Sequence, residues 1–191
     1  MSKKWGAILV AAFLLGFGLK KFITSSESPV PAANNSATFT SANQKGVDLY
    51  DHDDSRVRIV YFGFTHCPDV CPTSLAMLSA ALKQIDESQL NQILPLFITL
   101  DPERDTPEKV HQYSQYFHPN ILGLSAPIDT VKPIAEKYGV VFQRTELKDS
   151  QLQYTIDHNS YFYFLKPNGD LITKVPHTLN PAPLVTAIQQ L

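Results

Sequence analysis

The only two cysteines of this 191-residue chain, Cys67 and Cys71, lie four positions apart in "FGFTHCPDVCPT" (62–73), and each is followed by a proline. Two thiols at that spacing can close a disulfide, attack a partner's disulfide, or offer two sulfurs to one soft metal ion. A purely structural crosslink fits least. So small a loop constrains the unfolded chain little, and two cysteines are too few for a disulfide-built scaffold. Thiolate is both the nucleophile of exchange and the form that binds metal, so the other two roles remain open together. C-P-D-V-C is one residue longer than the C-x-x-C of many thiol oxidoreductases. The wider loop still closes a disulfide, and it also gives the sulfurs more freedom to converge on an ion.

The surrounding elements define where these thiols must sit. "VRIVYFGF" (57–64) reads as a buried strand, and "SLAMLSAALKQI" (74–85) places Leu75, Leu78, Leu82 and Ile85 at helical spacing. The cysteines therefore occupy the strand-to-helix turn and the first turn of the helix. Unpaired N–H groups and the positive end of the helix dipole concentrate there and favour thiolate. "ILPLFITL" (93–100) is a second buried strand. "DTPEKVHQYSQYF" (105–117) is a helix with Thr106 as N-cap, Pro107 in the first position and Glu108 at the positive end of the dipole. "ILGLS" (121–125) follows as a short strand and "TVKPIAEKYG" (130–139) as a helix ended by Gly139. "YFYFL" (161–165) and "LITKV" (171–175) form a hairpin turning at Asn168-Gly169, and "NPAPLVTAIQQL" is a terminal helix capped by Asn180. This order predicts an α/β domain with a central mixed sheet flanked by helices, the order of the thioredoxin fold.

In such a fold the loop before the late hairpin faces the cysteine turn. That loop is "TIDHNS" (155–160), with Asp157-His158-Asn159 where thioredoxins carry a cis-proline. His158 opposite Cys67 and Cys71 makes an S,S,N donor set suited to Cu(I) through its thiolates and to Cu(II) through its imidazole, whereas zinc would call for a fourth ligand. His66 adjoins Cys67, but neighbouring residues rarely converge on one ion. His111 and His118 are expected to be solvated, His52 to lie in a surface turn and His177 in a loop. Asp101 and Asp105, in "ITLDPERDTPE", lie at the strand edge where ligand sites collect, and both also suit the turn into the capped helix. Asp69, between the cysteines, is a supporting or partner-facing charge.

Lys3 and Lys4 precede the apolar run Trp5 to Leu19, followed by Lys20 and Lys21. Residues 1–23 read as an uncleaved signal anchor, with Lys3 and Lys4 kept inside. Residues 24–46, rich in Ser, Ala, Asn and Pro, read as a flexible tether, and 47–191 as the folded domain. A net charge of −2 argues against a nucleic-acid partner.

The stretches "VYFGFTHCPDVCPTSLAML", "ITLDPERDTPEKV", "YGVVF" and "IDHNSYFYFLKPNGDLI", in this order over roughly residues 40 to 191, together with the terminal helix, resemble the Sco/SenC family of copper-binding assembly factors for cytochrome c oxidase. The resemblance implies a thioredoxin-like, peroxiredoxin-related fold and one copper ion, Cu(I) or Cu(II), held by Cys67, Cys71 and His158. It implies delivery of copper or electrons to the CuA-bearing oxidase subunit from the outer, periplasmic face of a bacterial inner membrane. Another copper carrier or a thioredoxin-like reductant would serve as a further partner. The alternative is a thiol–disulfide reductase in which Cys67 and Cys71 are the redox-active pair and His158 is dispensable. The copper role is binding without turnover. One departure stands out: "DHNS" occupies the place where "DHS" followed by apolar residues is usual, so Asn159 bears on the hydrogen bonding of His158.

Overall fold

A computed structural model describes residues 37–191. The expected anchor (1–23) and the first part of the expected tether lie outside the described residues. The strands are β1 (Thr38–Thr40), β2 (Gly46–Asp48), β3 (Val57–Gly63), β4 (Ile93–Thr99), β5 (Leu122–Leu124), β6 (Phe142–Glu146), β7 (Tyr154–His158), β8 (Tyr161–Leu165) and β9 (Leu171–Pro176). The helices are α1 (Val70–Leu82), α2 (Glu87–Leu90), α3 (Pro107–Phe117), α4 (Ile128–Lys137) and α5 (Ala182–Gln189). Among the described residues no helix is long and apolar enough to cross a membrane.

Five strands form a mixed sheet in the order β5-β4-β3-β8-β9, with β3, β4 and β5 parallel and β8 and β9 antiparallel to their neighbours. The continuous apolar runs of β3, β4 and β8 are buried almost throughout, as strands covered on both faces require. Ile59, Tyr61, Phe62, Leu96, Phe97, Phe162 and Phe164 form the centre of the core. One charge is buried with them. Arg58, on β3, donates to the carbonyls of Asp51 (2.7 Å), Asp54 (2.6 Å) and Arg56, so the desolvated guanidinium fastens the loop ahead of its own strand.

The expected helices and strands of the main sheet are present with small shifts at their ends. Thr106 caps α3 through the Lys109 N–H. Pro133 lies inside α4, beyond the first-turn position that would explain it. At α5 the N-cap is Pro181, and Asn180 acts one residue earlier by accepting the Ala182 N–H at 2.9 Å.

Two departures matter more. First, residues 38–48 form the β1–β2 hairpin, so residues 38–46, expected within the tether, belong to the fold. Phe39 and Leu49 are buried, and Thr40 bridges to Ser125 beyond β5. One compact unit spans Ser36–Leu191. Second, "TIDHNS" is not a plain loop. Tyr154–His158 is β7, paired antiparallel with β6 in a separate two-stranded ribbon. The polar residues of β6 disguise it, because that strand is mostly exposed.

Candidate metal and thiol site

β3 ends at Gly63, where a strand side chain has no room. A Cβ there would sit 2.7 Å from Cys71 Sγ and 2.9 Å from the Phe97 ring. The chain then turns through Phe64–Asp69, with the Cys67 N–H donating to the Phe64 carbonyl at 3.3 Å, and enters α1. Cys71 lies in the first turn of α1, fully buried, and Cys67 stands partly exposed in the turn before it; both are free thiols. The Cys71 N–H donates to Cys67 Sγ at 3.4 Å.

This arrangement makes the pair unequal. The Cys71 side chain and backbone N–H groups at the helix start hydrogen-bond the Cys67 sulfur and hold its pKa down to about 5 despite partial burial. Sharing its proton with Cys67, and burial, push the Cys71 thiol well above its usual value. Cys67 is the resident thiolate and Cys71 the proton donor.

His158 closes β7 and brings its imidazole to the same place. Its Nε2 lies 3.8 Å from Cys71 Sγ, and its Nδ1 lies 3.0 Å from the Asn159 carbonyl. A carbonyl can only accept, so Nδ1 carries the proton and Nε2 presents its lone pair to the sulfur. Burial holds the imidazole below its ordinary pKa, so it is neutral at neutral pH. The rings of Tyr61 and Phe64 stand edge-on to it, with centroids 6.4 and 6.3 Å away. A cleft of about 190 Å³ opens over the group, bordered by Phe64, Cys67, Pro68, Asp69, Asp157 and His158. It admits an ion with waters or an approaching side chain, but is too small for a cofactor of organic size. Cys67 and His158 line the cleft and Cys71 lies buried behind them, and two sulfurs with a bare imidazole nitrogen suit a soft metal ion.

Other residues singled out in the sequence do different work. His66 turns away from the cysteine pair, with Nδ1 3.2 Å from Thr65 Oγ1 and 3.5 Å from Asp105 Oδ1. His66, Asp101 and Asp105 bring donor atoms within 4.8 Å of one another. Both carboxylates are already engaged, however. Asp101 accepts from Arg104 at 2.5 Å and from the Tyr154 hydroxyl at 2.7 Å. Asp105 accepts from Thr65 and Thr99. His111 buries its Nδ1 rather than standing fully solvated. His177 lies 2.7 Å from Ser74 Oγ, tying the segment before α5 to α1. The position of Asp105 beneath the cysteine turn is not legible in the sequence, because the contact joins residues forty apart.

An α/β domain of thioredoxin-like build, with an unequal thiol pair at the end of its central strand and an imidazole facing it from a neighbouring ribbon, is thus the class of protein that fold and site define. A sequence profile of the SCO1/SenC family matches residues 27–191, and the chain belongs to that family. It is 42% identical over 114 residues to Protein SCO1 homolog 1, mitochondrial, of Arabidopsis thaliana, covering 60% of this chain and 34% of that protein. It is 32% identical over 175 residues to an SCO2-like protein of Rickettsia felis, covering 85% and 84%. The crystal structure of Arabidopsis thaliana ScoI with copper bound superposes with a TM-score of 0.71 at 33% identity, over 80% of this chain and 93% of that one. The chain thus spans about a third of the plant relative, and most of the rickettsial one.

Proposed function

We propose that the protein is a copper carrier, in which one Cu(I) or Cu(II) ion is held by Cys67 Sγ, Cys71 Sγ and His158 Nε2 and passed on during assembly of the CuA centre of cytochrome c oxidase. The observation that carries this reading is the pose of His158, with Nδ1 committed to a carbonyl and Nε2 aimed at Cys71 Sγ from 3.8 Å. Cys71 Sγ and His158 Nε2 would hold the ion between them, a thiolate and an imidazole being donors that copper favours. Thiol exchange alone needs no such ligand. The ScoI structure of Arabidopsis thaliana holds copper on the same fold, which supports the choice of metal. The open cleft supports transfer, since an ion must meet the acceptor's ligands before leaving its own. Exchange with a partner disulfide, which takes two electrons and leaves as a dithiol, removes the one proton that Cys71 still carries and forms the Cys67–Cys71 disulfide; both thiolate ligands are lost, so redox state gates loading.

The expected anchor at residues 1–23 supports a site facing the periplasm from a bacterial inner membrane. There the CuA-bearing subunit would be the acceptor, and another copper carrier or a thioredoxin-like reductant would restore the carrier.

The inequality of the thiols favours a second reading, thiol–disulfide reduction. The Cys67 thiolate attacks a partner disulfide, and one partner sulfur leaves as thiolate and takes up a proton. Cys71 then gives up its proton, attacks Cys67 Sγ and releases the second partner thiol. One experiment separates the two. In a copper titration of reduced and oxidised protein, followed by thiolate-to-Cu(II) absorption, the reduced form takes one equivalent and the oxidised form does not. His158→Ala strongly weakens Cu(II) binding and leaves disulfide exchange intact. Undiminished copper binding by His158→Ala would overturn the carrier reading and leave the reductase.

A further inference from the structure

The cysteines and the histidine stand on separate parts of the fold. Cys67 and Cys71 belong to the β3–α1 turn of the main sheet, whereas His158 ends β7, which pairs only with β6 in its own ribbon. Among the described residues no backbone ladder between those sheets sets the imidazole against the thiols. The turn that leads from His158 into β8 must do it; Ser160 ties its far end, bonding Tyr61 through its side chain and accepting the His177 N–H at 2.9 Å, and Asn159, next to the histidine, uses both ends of its side chain. Its Oδ1 accepts the Val141 N–H at 3.0 Å, and its Nδ2 donates to the Gly139 carbonyl at 2.9 Å. Its backbone N–H donates to the Val141 carbonyl at 3.2 Å, and its own carbonyl stands 3.0 Å from His158 Nδ1. The segment it grips is firm. Gly139 takes the left-handed conformation (φ +75°) that ends α4, and buried Val140 donates its N–H to the Ala135 carbonyl at 2.9 Å.

We propose that Asn159 is the positioning residue of this site: by clamping the 158–160 turn to residues 139–141 it keeps its carbonyl on His158 Nδ1, and so presents a bare Nε2 to the thiols before any metal arrives. The inference rests on the copper reading for its purpose, but its structural half does not. A neutral imidazole has one N–H to place, and the carbonyl decides which nitrogen carries it. With the clamp gone the turn swings, both tautomers populate, and ordering the ring is deferred to the moment of binding. Asn159 in "DHNS" is then a device of this chain for holding its histidine.

The test uses the full-length chain in detergent, labelled with 15N-histidine. In the copper-free, reduced wild type the ring nitrogens of His158 report the Nδ1–H form. In Asn159→Ala they report mixed tautomers, and Cu(II) affinity falls roughly 10–100-fold, the usual consequence of losing a partner behind a metal ligand. Asn159→Asp keeps an acceptor for the Val141 N–H but faces the Gly139 carbonyl with no donor, and falls between the two. Thermal melts of both variants separate a swung turn from a lost fold. Wild-type tautomer and wild-type Cu(II) affinity in both variants would overturn the proposal. If the wild type takes up no copper, the carrier reading fails by itself, and the nitrogen signals still decide whether Asn159 sets His158.

Discussion

Asp105 holds Thr65 by both of its donors: Oδ2 accepts the backbone N–H at 2.8 Å and Oδ1 accepts the hydroxyl at 2.5 Å. Thr99 adds a third bond to Oδ2 at 2.6 Å, and the carboxylate is wholly buried. The turn carrying Cys67 therefore hangs from the N-terminal end of α3. Asp105→Ala strands these donors, each at about 1–3 kcal/mol, whereas Asp105→Asn keeps the volume and one acceptor. The urea midpoint is expected to fall for both, and further for Ala. With its turn loosened, Cys71 becomes alkylatable in the native protein. A wild-type midpoint and a still-protected Cys71 in Asp105→Ala would mean that the turn is held elsewhere.

The two thiols are expected to react in a fixed order. Cys67 is partly exposed with its pKa down to about 5, and Cys71 is buried with its thiol pushed up. In the reduced, metal-free protein iodoacetamide should label Cys67 first, at a rate that is level at neutral pH and falls as pH drops through about 5. The linkage has a definite sign. From about 5 up to the usual thiol value of 9.0 the unfolded chain binds one more proton at Cys67 than the folded chain does, so stability rises with pH across that window and is lost on acidification. Above it the raised Cys71 reverses the slope, because the unfolded chain has lost a proton that the folded one keeps. Mass mapping of the labelled peptide at several pH values checks the order, and equal labelling of both cysteines would contradict it.

Gly63 is the place where the core yields space to the site. A methyl group there meets Cys71 Sγ at 2.7 Å and the Phe97 ring at 2.9 Å, both in packed surroundings. Gly63→Ala should destabilise by about 1–3 kcal/mol, the range for overpacking a filled core. Since the sulfur is one of the two atoms displaced, disulfide formation should slow as well. Thermal melts and the rate of air oxidation measure the two effects, and an unaltered melt would show that the ring and sulfur give way freely.

How much of this was legible depended on where the information lay. The unbroken apolar runs around Val60, Phe97 and Phe164 announced a sheet covered on both faces, and Thr106-Pro107-Glu108 announced a helix start. These are local signals, and the structure keeps them. His158 was placed opposite the cysteines by analogy of element order, and its Nε2 lies beside Cys71. The ribbon that delivers it leaves no mark in the sequence, because Gln143, Arg144 and Glu146 give β6 no apolar alternation. The grip of Asp105 on Thr65 and of Asn159 on Gly139 joins distant residues through single polar atoms, and periodicity carries no trace of such bonds. The early hairpin was hidden by composition: Ser, Asn and Thr around Phe39 look like linker until Phe39 is seen in the core.

That hairpin supplies the last prediction. Phe39 and Leu49 are buried in the main core, and Thr40 exchanges two backbone hydrogen bonds with Ser125, at 2.7 and 2.9 Å. Ser41 adds a bond from its hydroxyl to the Gly123 carbonyl at 3.1 Å. The hairpin thus lies across the β5 edge of the sheet, where unpaired strand groups would otherwise stand open. If it folds with the rest, Phe39→Ala costs about 3–5 kcal/mol, as for other large aromatic truncations in a core. At roughly 2–4 °C per kcal/mol for a domain of this size, the melting temperature should drop by roughly 6–20 °C in a single transition. A melting temperature that Phe39→Ala leaves unmoved would mean that the hairpin opens before the domain does, and that the cooperative unit begins after residue 48.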